Sequence, residues 1–260
     1  MEQVLTYLDQ NRERYLAELK DLLAIPSVST NPDNRADVQR CAQWVADHMR
    51  TIGLENVQVM PTGGHPIVYG DWLHAPGKPT VLLYGHYDVQ PPEPLELWTS
   101  PPFEATIRGD NLYARGSADD KGQVFIHLKS IEAYLKNTGS LPINIKLLIE
   151  GEEEIGSEHL VPFVTEHKEM LKADLVLISD SAMFAKGVPS ICYGLRGLAY
   201  MQVDLVGPNK DLHSGSFGGT VHNPIQALAE IIAQLHDKNG RVAIPGFYKD
   251  VRPLTKKERD

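Results

Sequence analysis

A chain of 260 residues with 42% hydrophobic and 23% charged side chains can bury one large core or two modest ones, which excludes disorder and fibrous repeats. Its formal net charge of -9, with no basic stripe to offset it, argues against nucleic acid as a partner and fits bound cations better. Cys41 and Cys192 are the only cysteines and form no CxxC pair, so neither a disulfide framework nor a thiolate zinc site is predicted, and a reducing cytoplasm is expected.

The first twenty residues carry Glu2, Asp9, Arg12, Arg14, Glu18 and Lys20, which interrupt any signal-peptide stretch. No apolar run reaches the roughly 18 residues of a membrane span, so no membrane partner is expected. Val4, Leu5, Leu8, Tyr15, Leu16, Leu19, Leu22 and Leu23 recur at helical spacing and predict an amphipathic helix ending before Pro26. Val38, Ala42, Val45, Ala46 and Met49 predict a second, with Asp33 as N-cap and Gly53 at the left-handed C-terminal position.

Short apolar runs then alternate with helices: Thr80 to Tyr84, a helix from about Gly122 to Leu135, Asn144 to Ile149, a helix near Glu158 to Leu171, and Leu175 to Ile178. This is an α/β pattern, because strands separated by helices need crossovers and favour a mostly parallel sheet flanked by helices. After Gly197 the texture changes to Ala199 to Val206, a Gly-rich polar stretch and a helix from about Asn223 to Leu235. Residues 1–197 are expected to form one domain, incomplete here, and 198–260 the start of a smaller α+β second domain.

Three apolar runs end in metal-ligand residue types. The first leads into His86 and Asp88, the second into Glu150, Glu152, Glu153 and Glu154, the third into Asp180. Ligands of open α/β sheets bind beyond the carboxyl ends of strands, so these side chains are predicted to share one crevice. Asp119 and Asp120 lie between a glycine-bearing loop and a helix. Adjacent acids repel and tend to take up a proton unless a divalent cation keeps them ionised. One histidine with several carboxylates suits zinc, and also manganese or cobalt.

Each piece alone has a plainer explanation: a structural histidine, a solvated acidic helix start, an N-cap, a turn aspartate. Four separate loops placing such residues at strand ends or helix starts favour the metal reading. A two-metal phosphoesterase would use similar ligands, but no clustered Arg or Lys near the motifs would hold a phosphate.

GHYDVQPP (85–92), WTSPPFEATIRGDNLYARGSADDKG (98–122), EGEEEIGSE (150–158), ISD (178–180), YGLRG (193–197) and DLHSGSFGG (211–219) together resemble the M20 metallopeptidases, particularly their dipeptidase branch. The resemblance runs from about Leu16 to the end of the chain. It implies two divalent metals, zinc foremost, with His86 and Asp180 on one, Glu154 on the other and Asp119 bridging. Asp88 would orient His86, and Glu153 would be the general base for hydrolysis of a dipeptide amide bond.

The same resemblance implies a non-proline cis bond between Asp119 and Asp120, and substrate binding by His213, reaching across a homodimer interface, and by Asn223. Arg196 has a structural ion pair as an equal alternative. Deacylases, desuccinylases and carboxypeptidases of the family share most of these motifs, so the substrate class stays open between them and dipeptides. The family takes a last metal ligand from a late histidine, and His222 and His236 match no such position. The second metal would then have only Asp119 and Glu154, so a fragment of a longer enzyme is expected, with an inactive short relative as the alternative.

Overall fold

The computed structural model describes residues 1–259, which divide into two compact units, Met1–Ser190 and a second beginning at Ile191. The first unit is built on a five-stranded sheet. Its strands are β1 (Glu55–Met60), β2 (Ile67–Trp72), β3 (Thr80–His86), β6 (Asn144–Glu150) and β7 (Leu175–Ile178), in the order β1-β2-β6-β3-β7. β3 runs parallel to both β6 and β7, whereas β2 is antiparallel to β1 and β6. Four of the five strands therefore point one way, which is the mostly parallel sheet predicted from the crossovers. The antiparallel pair β1 and β2 is an addition: Val57 and Val59 alternate with polar residues in a run too short to stand out. A hairpin of β4 (Thr106–Arg108) and β5 (Asn111–Tyr113) lies apart from the main sheet.

The period-2 alternation of the strands sorts their side chains between two cores. Val68, Val81, Leu83, Ile145, Leu147 and Ile149 share one cluster with Val38, Cys41, Ala42, Val45 and Met49 of α3 (Arg35–Ile52) and with Val124, Phe125, Leu128 and Ile131 of α4 (Lys121–Thr138). Ile67, Tyr69 and Leu148 share the other with Phe163 of α5 (Leu160–Glu166) and Leu171 of α6 (Lys168–Leu171). Helices thus flank both faces.

Several helix boundaries differ from the sequence reading. The N-terminal periodic segment is two helices, α1 (Glu2–Gln10) and α2 (Arg12–Leu23), meeting at Asn11, whose side-chain amide donates to the Tyr7 carbonyl. Asp33 does not cap α3. Asn34 holds that position without a side-chain bond, while the Asn31 side-chain Oδ1 accepts from the Asp33 N–H one short turn earlier. The helix expected near Glu158 to Leu171 breaks at His167, whose Nδ1 bonds back to the Phe163 carbonyl. Gly53 ends α3 in the left-handed conformation as expected, at φ 103°.

The second unit contains α7 (Ser214–Phe217), α8 (Pro224–Ala233) and α9 (Lys256–Arg259). α8 opens with Pro224 at its first position, where a missing N–H costs nothing, after an Asn223 cap.

Candidate metal centre

The carboxyl ends of β3, β6 and β7 bring the predicted acids to one place. His86 is the last residue of β3 and its side chain is wholly buried. Its Nδ1 lies 3.1 Å from the Asp88 carbonyl oxygen and 3.3 Å from Asp88 Oδ1. Its Nε2 lies 3.2 Å from Asp119 Oδ1 and 3.7 Å from Asp180 Oδ2. Nδ1 therefore has a proton acceptor behind it, and Nε2 faces two carboxylates. That is the orientation in which a histidine presents Nε2 to a metal.

Asp88 has two further tasks. Its Oδ2 accepts from the Ser29 hydroxyl at 2.7 Å, and its carboxylate accepts the backbone N–H groups of Glu153 (3.3 Å) and Glu154 (3.1 Å). Those two residues begin a single 3-10 turn, Glu153–Ile155, where unpaired N–H groups favour an anion. The side chain of Glu154 is held by Gln90, whose Nε2 donates to Oε2 at 2.7 Å.

Asp119 and Asp120 are joined by a cis peptide bond, as the resemblance implied. Asp119 presents an exposed carboxylate to His86, whereas Asp120 is buried and its Oδ2 accepts the His86 backbone N–H at 3.0 Å. Gly85 permits that approach, since a Cβ there would stand 2.6 Å from the same oxygen. Lys121, 1% exposed, donates from Nζ to the Leu22 and Ile25 carbonyls, pinning the start of α4 to the end of α2. On the Asp180 side, His127 Nε2 lies 2.7 Å from the Ser179 hydroxyl.

The electrostatics are those of crowded acids around one cation. Burial disfavours a charged His86, but the hydrogen bond and charge of Asp88, with Asp120 and Glu153, outweigh it and raise its pKa to about 10. Asp120 is pushed up to about 7, mainly by burial. Glu153 is raised by burial and, against the pull of His86, by Glu154, Asp180 and Asp88; Glu154 is raised by burial and, against its bond from Gln90, by Asp119 and Asp88. A divalent cation bound among these groups would favour their ionised forms.

Donor atoms of His86, Asp119 and Asp180 lie within 4.8 Å of one another, as do those of His86, Glu153 and Glu154. One histidine and four carboxylates offering oxygen and nitrogen donors fit divalent zinc, manganese or cobalt. Asp119 and Glu154 fall in different groups, so the second group as it stands contains Glu153 beside Glu154. Of the residues singled out from sequence, His86, Asp88, Asp119, Glu153, Glu154 and Asp180 converge. His213 and Asn223 belong to the second unit, where each caps a helix by accepting a backbone N–H, from Gly215 at 3.1 Å and Ile225 at 2.9 Å. Sequence reasoning passed over Gln90, Lys121 and His127, although Gln90 and Lys121 stand inside the quoted motifs.

The α/β sheet thus carries a carboxylate-rich, metal-competent centre at its strand ends. Residues 82–252 match the profile of Peptidase family M20/M25/M40, and the chain belongs to that family. It is 38% identical over 269 residues to a Cys-Gly metallodipeptidase of Candida albicans, covering 96% of this chain and 55% of that protein. It is 34% identical to the human Beta-Ala-His dipeptidase, covering 99% and 54% respectively. Among solved structures, an M20 family metallo-carboxypeptidase of Sulfolobus solfataricus superposes with a TM-score of 0.76 at 38% identity, covering 94% of this chain and 55% of that one. Human carnosine dipeptidase 1 superposes at 0.73 with 29% identity, covering 99% and 57%. The chain thus spans about half the length of the relatives it matches.

Proposed function

We propose that this chain carries the catalytic centre of a metal-dependent dipeptidase. The observation that carries the reading is the pair of donor groups sharing His86, one completed by Asp119 and Asp180 and the other by Glu153 and Glu154. In this reading His86 and Asp180 would hold one divalent ion and Glu154 the other, with Asp119 as a ligand available to both. Two zinc ions are proposed, with manganese or cobalt able to fill the same donors. Bound dications supply Lewis acidity, lowering the pKa of an attacking water and polarising the scissile carbonyl. Asp88 keeps a proton on His86 Nδ1 and so reserves Nε2 as a ligand. The Glu153 carboxylate takes a proton from the attacking water and passes it to the nitrogen of the leaving amine. The water oxygen adds to the carbonyl carbon to form the new C–O bond, and the amide C–N bond then breaks as its nitrogen takes that proton, leaving a carboxylic acid and an amine.

Residues 1–197 would supply this centre and 198–260 the beginning of a lid, with His213 and Asn223 contacting substrate and His213 serving a partner copy in a homodimer. A small-peptide substrate and a cytoplasmic location complete the reading. No helix among the described residues is long and apolar enough to cross a membrane.

The test is release of free amino acids from Cys-Gly and β-Ala-His by the chain loaded with zinc, manganese or cobalt, before and after Glu153→Gln. Loss of about 100-fold or more in turnover with metal still bound is expected for removal of a general base. Unchanged turnover would overturn the role of Glu153. Trimming of longer peptides from the carboxyl end would instead indicate the carboxypeptidase activity that names the Sulfolobus relative.

A further inference from the structure

Glu150 stands beside His86 in the parallel register of β3 and β6, yet it belongs to neither donor group. It is 2% exposed, and its Oε1 accepts two hydroxyls: Tyr84 at 2.5 Å and Ser157 at 2.8 Å. Tyr84 is two residues before His86 on β3. Ser157 ends the loop 151–157, which begins immediately after Glu150 and presents Glu153 and Glu154. Ser157 has φ 52°, a left-handed conformation uncommon outside glycine, and its N–H bonds the Glu152 carbonyl at 2.8 Å. A residue held there needs surroundings that over-determine it. The Glu150 carboxyl supplies them: it lies at the start of the loop and fastens its end.

The loop is therefore held along its length. Glu152 accepts the His65 N–H at 3.0 Å and lies 2.8 Å from His159 Nδ1, and Gln90 donates to Glu154, but the C-terminal end of the loop is fastened by Glu150. Asp88 grips the N–H groups of Glu153 and Glu154 from the β3 side, and Glu150, through Ser157, fixes the far end. A buried acid would be costly without donors, and the two hydroxyls satisfy it.

We propose that Glu150 is a positioning residue: with Tyr84 and Ser157 it closes the 151–157 loop and thereby sets where Glu153 and Glu154 stand relative to His86. This rests on the metal-centre reading above and extends it to a residue that touches neither metal nor substrate.

The test compares Glu150→Ala, Glu150→Gln and Ser157→Ala in the full chain. Metal binding is read in two steps with cobalt(II), by absorption and competition with a chromophoric chelator. Amide hydrogen exchange of residues 151–157 is read in metal-free protein. Glu150→Ala and Ser157→Ala should weaken the metal step that depends on Glu154 by about 10- to 100-fold, the range for losing a group that orients a ligand, while the His86, Asp119 and Asp180 step is kept. Exchange should rise within 151–157 and stay unchanged along β6. Glu150→Gln keeps an acceptor for both hydroxyls and should restore the wild-type pattern. Equal weakening of both steps, exchange rising across the whole sheet, or no change in the loop would each overturn the proposal. Ser157→Ala removes only a loop hydroxyl, so it decides the matter even if Glu150→Ala does not fold. If the unsubstituted chain binds no dication, the metal-centre reading fails, and the exchange data alone decide whether Glu150 positions the loop.

Discussion

Asp88 Oδ2 accepts the Glu154 backbone N–H at 3.1 Å, so the acid that lies against His86 also holds the loop following β6. Orientation of a histidine and placement of a carboxylate thus depend on one side chain. Asp88→Asn keeps the size but replaces an acceptor with a donor facing N–H groups. Metal affinity measured against a competing chelator should fall by about 10- to 100-fold. Undiminished affinity would separate Asp88 from the centre.

Dication binding should also register as folding stability. At a hundredfold excess over Kd, zinc would stabilise the first unit by about 2.7 kcal/mol, seen as a rise in Tm that a chelator reverses. His86→Ala should remove most of that rise, because His86 belongs to both donor groups. A zinc-dependent rise that survives in His86→Ala would place the metal elsewhere.

Acid sensitivity should come from the helical layer. His48 Nε2 accepts from the Lys129 ammonium at 2.6 Å, and burial together with Lys129 lowers its pKa from 6.5 to about 4. The unfolded state therefore binds a proton that the folded state refuses. Stability from this group is full above pH 6.5 and is lost as the pH falls towards 4, at about 1.4 kcal/mol per pH unit. Glu18 and Glu132, lowered against burial by their bonds with Lys129 and Arg14, add loss below the ordinary carboxylate range. Denaturant titrations from pH 7 to pH 4 should show this slope. His48→Gln, which retains an acceptor for Lys129, should flatten it between pH 6.5 and 4. A slope unaltered by His48→Gln would assign it to other groups.

Gly151 offers a steric test. A Cβ there would stand 2.3 Å from the hydroxyl of Tyr87, a residue 1% exposed whose hydroxyl donates to the Pro66 carbonyl at 2.6 Å. Gly151→Ala should destabilise by about 1–3 kcal/mol, the usual cost of overpacking, in chemical denaturation. A neutral outcome would mean that Tyr87 yields more readily than its burial implies.

The convergence of His86, Asp180 and the acids after β6 was legible in sequence because they follow on apolar strands, and a strand fixes where its last side chain stands; their roles came only from the resemblance. β2 was not legible: Gly70 and Asp71 interrupt it, and Asp71 is tolerated inside only because Tyr69 and Asn56 donate to it at 2.8 and 2.9 Å. Nor does spacing reveal the jobs of Gln90, Lys121 or Glu150. Each is a polar type that usually faces water, and what recruits it is a carboxylate, a helix end or a hydroxyl brought near by the fold. The break at Asn11 is similarly invisible, because the apolar period continues on both sides of it.

β3 has a paired neighbour on each side, with Val81 opposite Ile145 and Leu175 and His86 opposite Glu150. Its reach is therefore measured against two rulers at once, and a slip of one residue would turn His86 to the opposite face of the sheet. Lineages carrying this centre should accept apolar exchanges at Val81, Leu82 and Leu83, keep Tyr84 and Gly85, and accept almost no change in the length of β3. Insertions and deletions should collect instead in the connections before Thr80 and after Pro91.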